Sequence, residues 1–313
     1  MSKLAALRKA SSHFKDSLKN CIICPRACGI NRTDGHTGYC RAPYNPVVYS
    51  YLAHRGEEPP ISGRKGSGTI FFSGCNMKCV YCQNYSFSQL DKGSETSVEK
   101  LSEIMLYLQK IGCHNINLVT PTHFVPQIVF ALEKACEAGL NIPIAYNTSG
   151  YDSLETIKIL SGIVDIYMPD MRYSNNAMAS KYSDAPDYVE VNRLAVKEMH
   201  DQVGDLLIDD DGIAKKGIII RLLSLPNNIS GTPETLKFIK QKISPNAYLS
   251  IMSQYYPTHK SFDYTELSRG VTDDEYKNVV DAAKLLGLNN GWVQENPSGN
   301  DDKFLGTNIK PRI

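Results

Sequence analysis

Three cysteines, Cys75, Cys79 and Cys82, stand at x3 and x2 spacing in the run Gly74-Cys75-Asn76-Met77-Lys78-Cys79-Val80-Tyr81-Cys82. Just upstream, Thr69-Ile70-Phe71-Phe72 reads as a short buried strand, so the cysteines sit on the loop that leaves it. Thiolates this close together can hold one metal centre. A cubane iron–sulfur cluster normally takes four cysteine thiolates, so a local set of three leaves one iron free for another molecule. Two plainer readings stay open: a zinc site completed by a distant ligand, and free cysteines in a core.

A second group lies nearer the N-terminus. Cys21-x2-Cys24-Pro25-x2-Cys28 is followed by Cys40 behind Gly35 and Gly38. Four cysteines in a Gly/Pro-rich stretch suit tetrahedral zinc or a second, closed iron–sulfur cluster, and spacing alone does not choose. A redox disulfide at Cys21 and Cys24 is a third option. A metal here would also help a region with few long apolar runs to fold.

The chain has 313 residues, 42% hydrophobic and 21% charged, as expected of a globular protein with a large core. Its net charge of +1 makes no bulk case for nucleic-acid or membrane binding. No apolar run is long enough to span a bilayer, and the N-terminus lacks the apolar core of a secretory signal. Lys3, Arg8, Lys9, Lys15 and Lys19, with Leu4, Leu7, Phe14 and Leu18 on one helical face, read as an amphipathic helix packed on a domain; a transit peptide is the alternative. Nine cysteines, clustered and odd in number, argue for a reducing cytoplasm and metal binding over disulfides. Cys113 and Cys136 read as core residues.

Residues 54–68 are rich in Gly, Pro and charge and read as a linker to the first core strand. Beyond it, strands and helices alternate. Strands are expected at 69–72, 115–120, 142–147, 163–168, 218–223 and 247–252, with a short one at 292–294 and then a polar tail. Helices open at Thr96-Ser97-Val98-Glu99, at 124, at Asp152-Ser153, at Thr232-Pro233 and at Thr272-Asp273-Asp274-Glu275. Residues 172–205 hold one or two helices. Six strands separated by helices imply parallel pairing with right-handed crossovers, in an open sheet or a barrel.

With these features in place, Cys75-x3-Cys79-x2-Cys82 with Tyr81 resembles the signature of the radical S-adenosylmethionine (radical SAM) superfamily. The stretch from Gly68 to Asn84 is similar to that of the pyruvate formate-lyase activating enzymes and their uncharacterised homologues. The resemblance, in motif order, covers about residues 50–260. It implies an α/β fold, a partial (β/α)6 TIM-like barrel over 61–313, with a small Cys-rich region at 1–60. It also implies a [4Fe-4S] cluster on Cys75, Cys79 and Cys82, S-adenosylmethionine on the open iron, and reductive cleavage to a 5′-deoxyadenosyl radical. Hydrogen is then drawn from a peptide or protein substrate. The electron donor would be of the flavodoxin or ferredoxin kind. The alternatives are a maturase or small-molecule enzyme without a glycyl radical partner, and a non-enzymatic electron carrier or metal-organised binding module.

The same resemblance assigns cofactor contacts to the strand ends. Tyr81 lies against the adenine or packs under the loop. Strand two of such enzymes usually ends in Gly-Gly-Glu; here it reads Val119-Thr120-Pro121-Thr122-His123, a departure, with Thr120 and Thr122 offering oxygens. His123 reads more readily as a packed residue. Asn147-Thr148-Ser149-Gly150 is similar to the family's Asp-Thr-Asn-Gly and puts Asn147 and Ser149 at the site. Pro169-Asp170-Met171-Arg172 is similar to Asp-Leu-Lys and puts Asp170 there. Arg221, a charge inside Ile218-Ile219-Ile220-Arg221-Leu222-Leu223, needs a partner in the barrel interior. Gln254 and Tyr255 face the substrate end.

Overall fold

A computed structural model describes residues 2–294; the expected polar tail lies outside them. Helix α1 (Lys3–Phe14) is capped by Ser2, which accepts from the Ala5 N–H, and it buries Leu7, Ala10 and Phe14. Irregular chain carrying the first four cysteines leads to strand β1 (Val47–His54), the short helix α2 (Pro59–Ser62) and β2 (Ser67–Phe72). After the second cysteine loop come α3 (Tyr85–Ser88), β3 (Ser94–Glu95), α4 (Val98–Lys110), β4 (Ile116–Val119), α5 (Val125–Glu137) and β5 (Ile144–Thr148). Then follow α6 (Leu154–Ile159), β6 (Ile166–Pro169), α7 (Asn176–Ser183), α8 (Tyr188–Val203), β7 (Leu207–Ile208) and β8 (Ala214–Leu223). The described chain ends with α9 (Thr232–Phe238), β9 (Tyr248–Met252), α10 (Asp273–Leu285) and β10 (Gly291–Val293).

The sheet order is β10-β9-β8-β6-β5-β4-β2-β1-β3. From β2 to β10 the pairs along this path are parallel, and β1 joins antiparallel to β2 and β3. β10 and β3 end the path unpaired with each other, so the architecture is a partial, open (β/α)6 barrel with a short seventh parallel strand. Strands β2, β4, β5 and β6 are buried along their whole length, as parallel strands covered on both faces must be. Helices cover the outside: α4 buries Leu101, Ile104, Met105 and Leu108, and α5 buries Ile128, Val129, Ala131 and Leu132.

The register sets the site. Phe71 pairs with Val119, Val119 with Asn147, and Asn147 with Met168. Asp170 and Arg221 form the next bridge. The C-terminal ends of β2, β4, β5, β6 and β8 are therefore level, and the residues that leave them share one rim.

Two differences from the sequence reading concern backbone. The segment read as a linker from His54 contains the end of β1 and all of α2. Val47-Val48-Tyr49-Ser50-Tyr51-Leu52 has the β-branched and aromatic content of a strand, but its two faces are both partly covered, so no clean alternation marks it. β8 starts at Ala214, four residues before the expected position, because β7 folds back on it through the turn at Asp209–Gly212. Asp209 Oδ1 accepts from the N–H groups of Asp211 and Ile213 to hold that turn. Cys113 is buried, and Cys136 is half-buried against the core. No helix among the described residues is long and apolar enough to cross a membrane.

Candidate metal centre and cofactor cavity

The loop leaving β2 turns at once. Gly74 has φ +80, and a Cβ there would lie 2.7 Å from the Cys40 carbonyl oxygen, so only glycine lets the two cysteine regions approach this closely. Cys75, Cys79 and Cys82 then line one cavity at the strand-end rim. Each sulfur has a donor. The Met77 N–H points at Cys75 Sγ at 3.4 Å, and the Ser183 hydroxyl lies 3.0 Å and Arg172 Nη1 3.2 Å from Cys79 Sγ. Ser88 Oγ lies 3.2 Å from Cys82 Sγ. Burial pushes the free thiols of Cys75 and Cys82 up, with Cys79 adding to the rise. Among the described residues, no three His, Cys, Asp or Glu side chains converge on a point fit for a single ion. Three thiols round one cavity, each with a hydrogen-bond donor, fit a cluster, whose sulfurs are tuned by such donors.

Behind the thiols stands a ladder of charge. Arg172 donates to Asp170 Oδ2 through Nε at 3.0 Å and Nη2 at 2.6 Å while Nη1 reaches Cys79. Burial opposes its charge, but Asp170 and Cys79 outweigh that and raise its pKa well above the ordinary value. Arg221 Nη1 donates to Asn147 Oδ1 at 2.9 Å, and its Nε lies 3.0 Å from Glu58 Oε1 and 3.9 Å from Asp170 Oδ1. The Nε–Glu58 contact is an ion pair without hydrogen-bond alignment. Glu57 Oε1 accepts from Asn117 Nδ2 at 3.0 Å and lies 3.6 Å from His54 Nδ1. Burial works against the Glu57 charge; His54, Arg221 and Asn117 together hold its carboxyl below the ordinary range.

Of the contacts expected from sequence, Tyr81, Thr120, Asn147, Ser149, Asp170 and Arg221 line this cavity, as does Gln254. Thr120 has φ +57, a strained conformation for a β-branched residue, at the end of β4 where the family's glycines would stand. Tyr81 is buried, its hydroxyl 2.5 Å from that of Tyr173. Thr122 is not brought to the cavity: its hydroxyl donates to Asp152 Oδ1 at 2.7 Å in a buried network with Thr148 and Tyr146. A β4 end that turns at Thr120 carries the next residues inward, behind the rim. Tyr255 is likewise used internally, donating to the Leu267 carbonyl and packing on Tyr81. His123 is the packed residue expected; its Nε2 donates to the Ser73 carbonyl at 2.7 Å, and burial lowers its pKa to about 4.

His54 and Glu57, which line the cavity, and Glu58, which pairs with Arg221 behind it, were not legible as site residues. They arrive on β1 and the turn after it, an addition before the first parallel strand. The adjacent acids Glu57-Glu58 before Pro59-Pro60 were the only signal, and a solvated loop explains such a pair equally well.

The four N-terminal thiols, Cys21, Cys24, Cys28 and Cys40, line a second, smaller cavity of their own, with Arg26, Arg32 and His123 in its wall. This region is seated on the loops that leave β2 and β4. Arg26 Nε donates to the Asn76 carbonyl at 2.9 Å, and Arg32 Nη1 to the His123 carbonyl at 2.8 Å.

Several known proteins are similar to this chain. The family model described as the radical SAM superfamily matches residues 69–171, which run from β2 through the β6 end. Uncharacterized protein MJ0674 of Methanocaldococcus jannaschii is 30% identical over 283 residues, 88% of this chain and 77% of the relative. Uncharacterized protein MJ0808 of the same organism is 26% identical over 235 residues, 64% of this chain and 68% of the relative. Among solved structures, HydG, a maturase of the [FeFe]-hydrogenase, is similar at TM-score 0.49 and 14% identity, over 74% of this chain and 51% of HydG. Streptococcus suis SuiB bound to S-adenosylmethionine is similar at TM-score 0.48 and 12% identity, over 71% of this chain and 48% of SuiB. The chain thus spans about half the length of each of these two structures. With a cysteine triplet at the end of the first parallel strand, a matching family model and a relative aligned over most of both chains, this protein belongs to the radical SAM superfamily.

Proposed function

We propose that this chain is an enzyme that cleaves S-adenosylmethionine reductively and draws a hydrogen atom from a substrate held in the cavity at the strand-end rim. The observation that carries the reading is the convergence of Cys75, Cys79 and Cys82 on that cavity, with Arg172 donating to Cys79 Sγ. When bound there, a [4Fe-4S] cluster with one open iron and S-adenosylmethionine supply a 5′-deoxyadenosyl radical.

The chain's own residues do the holding. Cys75, Cys79 and Cys82 are the ligands, and the N–H and O–H donors on their sulfurs stabilise the thiolate form. Asp170 fixes the Arg172 fork, so a cation stays beside Cys79. Asn147, Ser149 and Thr120 present oxygens and amides to a ribose or a carboxylate, and Arg221 lies one contact behind Asn147. Glu57, kept ionised, is the carboxylate on the wall supplied by β1 and suits an ammonium group. Tyr81 packs beneath the loop and holds it in place.

The similarity of Asn147-Thr148-Ser149-Gly150 and Pro169-Asp170-Met171-Arg172 to activase motifs supports a peptide or protein hydrogen donor. Polar groups of both signs on the wall support a small-molecule substrate or a maturation reaction to the same degree. All of these need a one-electron donor of the flavodoxin or ferredoxin kind, and a cytoplasmic setting suits the cluster.

Anaerobically reconstituted protein with reductant and S-adenosylmethionine is expected to release 5′-deoxyadenosine above a no-protein control. Cys79→Ala is expected to release none. Full release from Cys79→Ala would remove the ligand assignment. None from the wild type with its cluster intact by spectroscopy would leave a non-enzymatic metal protein as the better description.

A further inference from the structure

We propose that Cys21, Cys24, Cys28 and Cys40 are the four ligands of a second, closed [4Fe-4S] cluster, separate from the set at Cys75, Cys79 and Cys82. The first argument is charge. Arg32 is 1% exposed and lines the cavity formed by the four thiols. Its guanidinium donates to the carbonyls of Pro43 and His123, at 2.6–3.0 Å, and its carbon lies 5.4 Å from the Phe124 ring centre, but among the described residues no carboxylate pairs with it. A buried cation without a counter-charge is strongly unfavourable. Four protonated thiols do not supply one, whereas four thiolates on a metal centre carry net negative charge. Arg26, in the same wall, also gives its hydrogen bonds to backbone carbonyls, those of Asn76 and Asp184.

The second argument is the shape of the cradle. A Cβ on Gly38 would stand 2.8 Å from Cys28 Sγ, so this glycine keeps the wall open at a sulfur. Backbone hydrogen bonds fold the segment onto itself around the cysteines: the Cys21 N–H donates to the Ile30 carbonyl at 2.9 Å, the Gly29 N–H to the Cys21 carbonyl at 3.0 Å and the Ala27 N–H to the Cys24 carbonyl at 3.0 Å.

Spacing favours a cluster over zinc. Zinc holds sulfur at about 2.3 Å, which brings tetrahedral ligands to about 3.8 Å of each other. Neither cysteine set converges on a point fit for a single ion among the described residues. The cavity between the four thiols is otherwise walled by the apolar Ile23, Ile30 and Ala42, and four cysteines leave no iron open.

The test uses full-length protein lacking the other set, Cys75→Ala/Cys79→Ala/Cys82→Ala, reconstituted anaerobically with iron and sulfide. It is expected to hold about four iron and about four acid-labile sulfide per chain. Reduction should give an electron paramagnetic resonance signal that S-adenosylmethionine does not alter, because no iron is open. Adding Cys24→Ser/Cys40→Ser should remove the iron. One zinc and no iron per chain, or a folded protein by circular dichroism with no metal, would overturn the proposal. If the triple variant does not fold, the wild type decides. About eight iron in two populations by Mössbauer spectroscopy supports the second cluster, and about four in one population overturns it. Failure here leaves the reaction at Cys75, Cys79 and Cys82 untouched.

Discussion

At the scale of single residues, the site is a set of buried charges that hold one another. Glu58 is 2% exposed, with Arg221 Nε at 3.0 Å and neither carboxylate oxygen aligned to a hydrogen-bond donor. Removing one partner of a buried ion pair leaves the other charge without compensation, at a cost of about 3–5 kcal/mol. Arg221→Met is therefore expected to lose about 3 kcal/mol of stability in urea denaturation, and Glu58→Gln on the same background to recover part of it. A fully stable Arg221→Met would mean that Glu58 finds its counter-charge elsewhere. Arg221 was legible because a charge interrupted an apolar strand. Glu58 was not, because nothing in its neighbours shows that the chain after β1 folds inward. Thr122 shows the opposite failure. Its position after β4 placed it at the rim, and the left-handed turn at Thr120 removed it.

At the scale of elements, end chemistry was more legible than length. Ser97 and Thr272 cap α4 and α10 as their sequences imply, and α10 has the full capping box with Glu275. Arg269 also donates to both Glu275 oxygens at 2.8 Å. The Arg269 hydrogen bond, against a smaller cost of burial, lowers the Glu275 pKa to about 2. An unfolded glutamate titrates near 4.3. A depressed carboxyl adds stability that is complete above the unfolded value and disappears as pH falls toward the folded one. The stability gap between wild type and Glu275→Gln is thus expected to be constant above about pH 5 and to narrow between about pH 4 and pH 2. Urea midpoints at pH 6, 4 and 3 check it; a gap that does not change with pH would sink the assignment. β1 escaped because its burial does not alternate, with Val48, Tyr49 and Ser50 buried in a row and residues 51–54 half-buried, and alternation needs one wet face.

At the scale of the whole molecule, the N-terminal region is built onto the barrel. α1 lies along α5, with Arg8 paired to Glu137, Ser11 bonded to Glu133 and Lys3 to Asp165 at the start of β6. Leu7 is fully buried in the main core, so Leu7→Ala is expected to cost about 3 kcal/mol of global stability. It should do so without changing the iron content of reconstituted protein, because α1 carries no cysteine of either set. A cost below about 1 kcal/mol would mean that α1 frays independently of the barrel. The sequence by itself carried the family signature and the fold class: three cysteines at fixed spacing have to be local, and strand–helix alternation leaves few topologies. Only the tertiary structure decided which polar residues reach the cavity. That depends on register between strands far apart in the chain, on a strained turn at Thr120, and on the extra strand that brings His54 and Glu57 to the wall and Glu58 to Arg221. It also seated the four N-terminal thiols against the loops after β2 and β4, through Arg26, Arg32 and the close approach of Gly74 to Cys40. These are contacts between segments whose sequence patterns carry no trace of one another, because they are made by backbone carbonyls and by charges that only burial forces to pair.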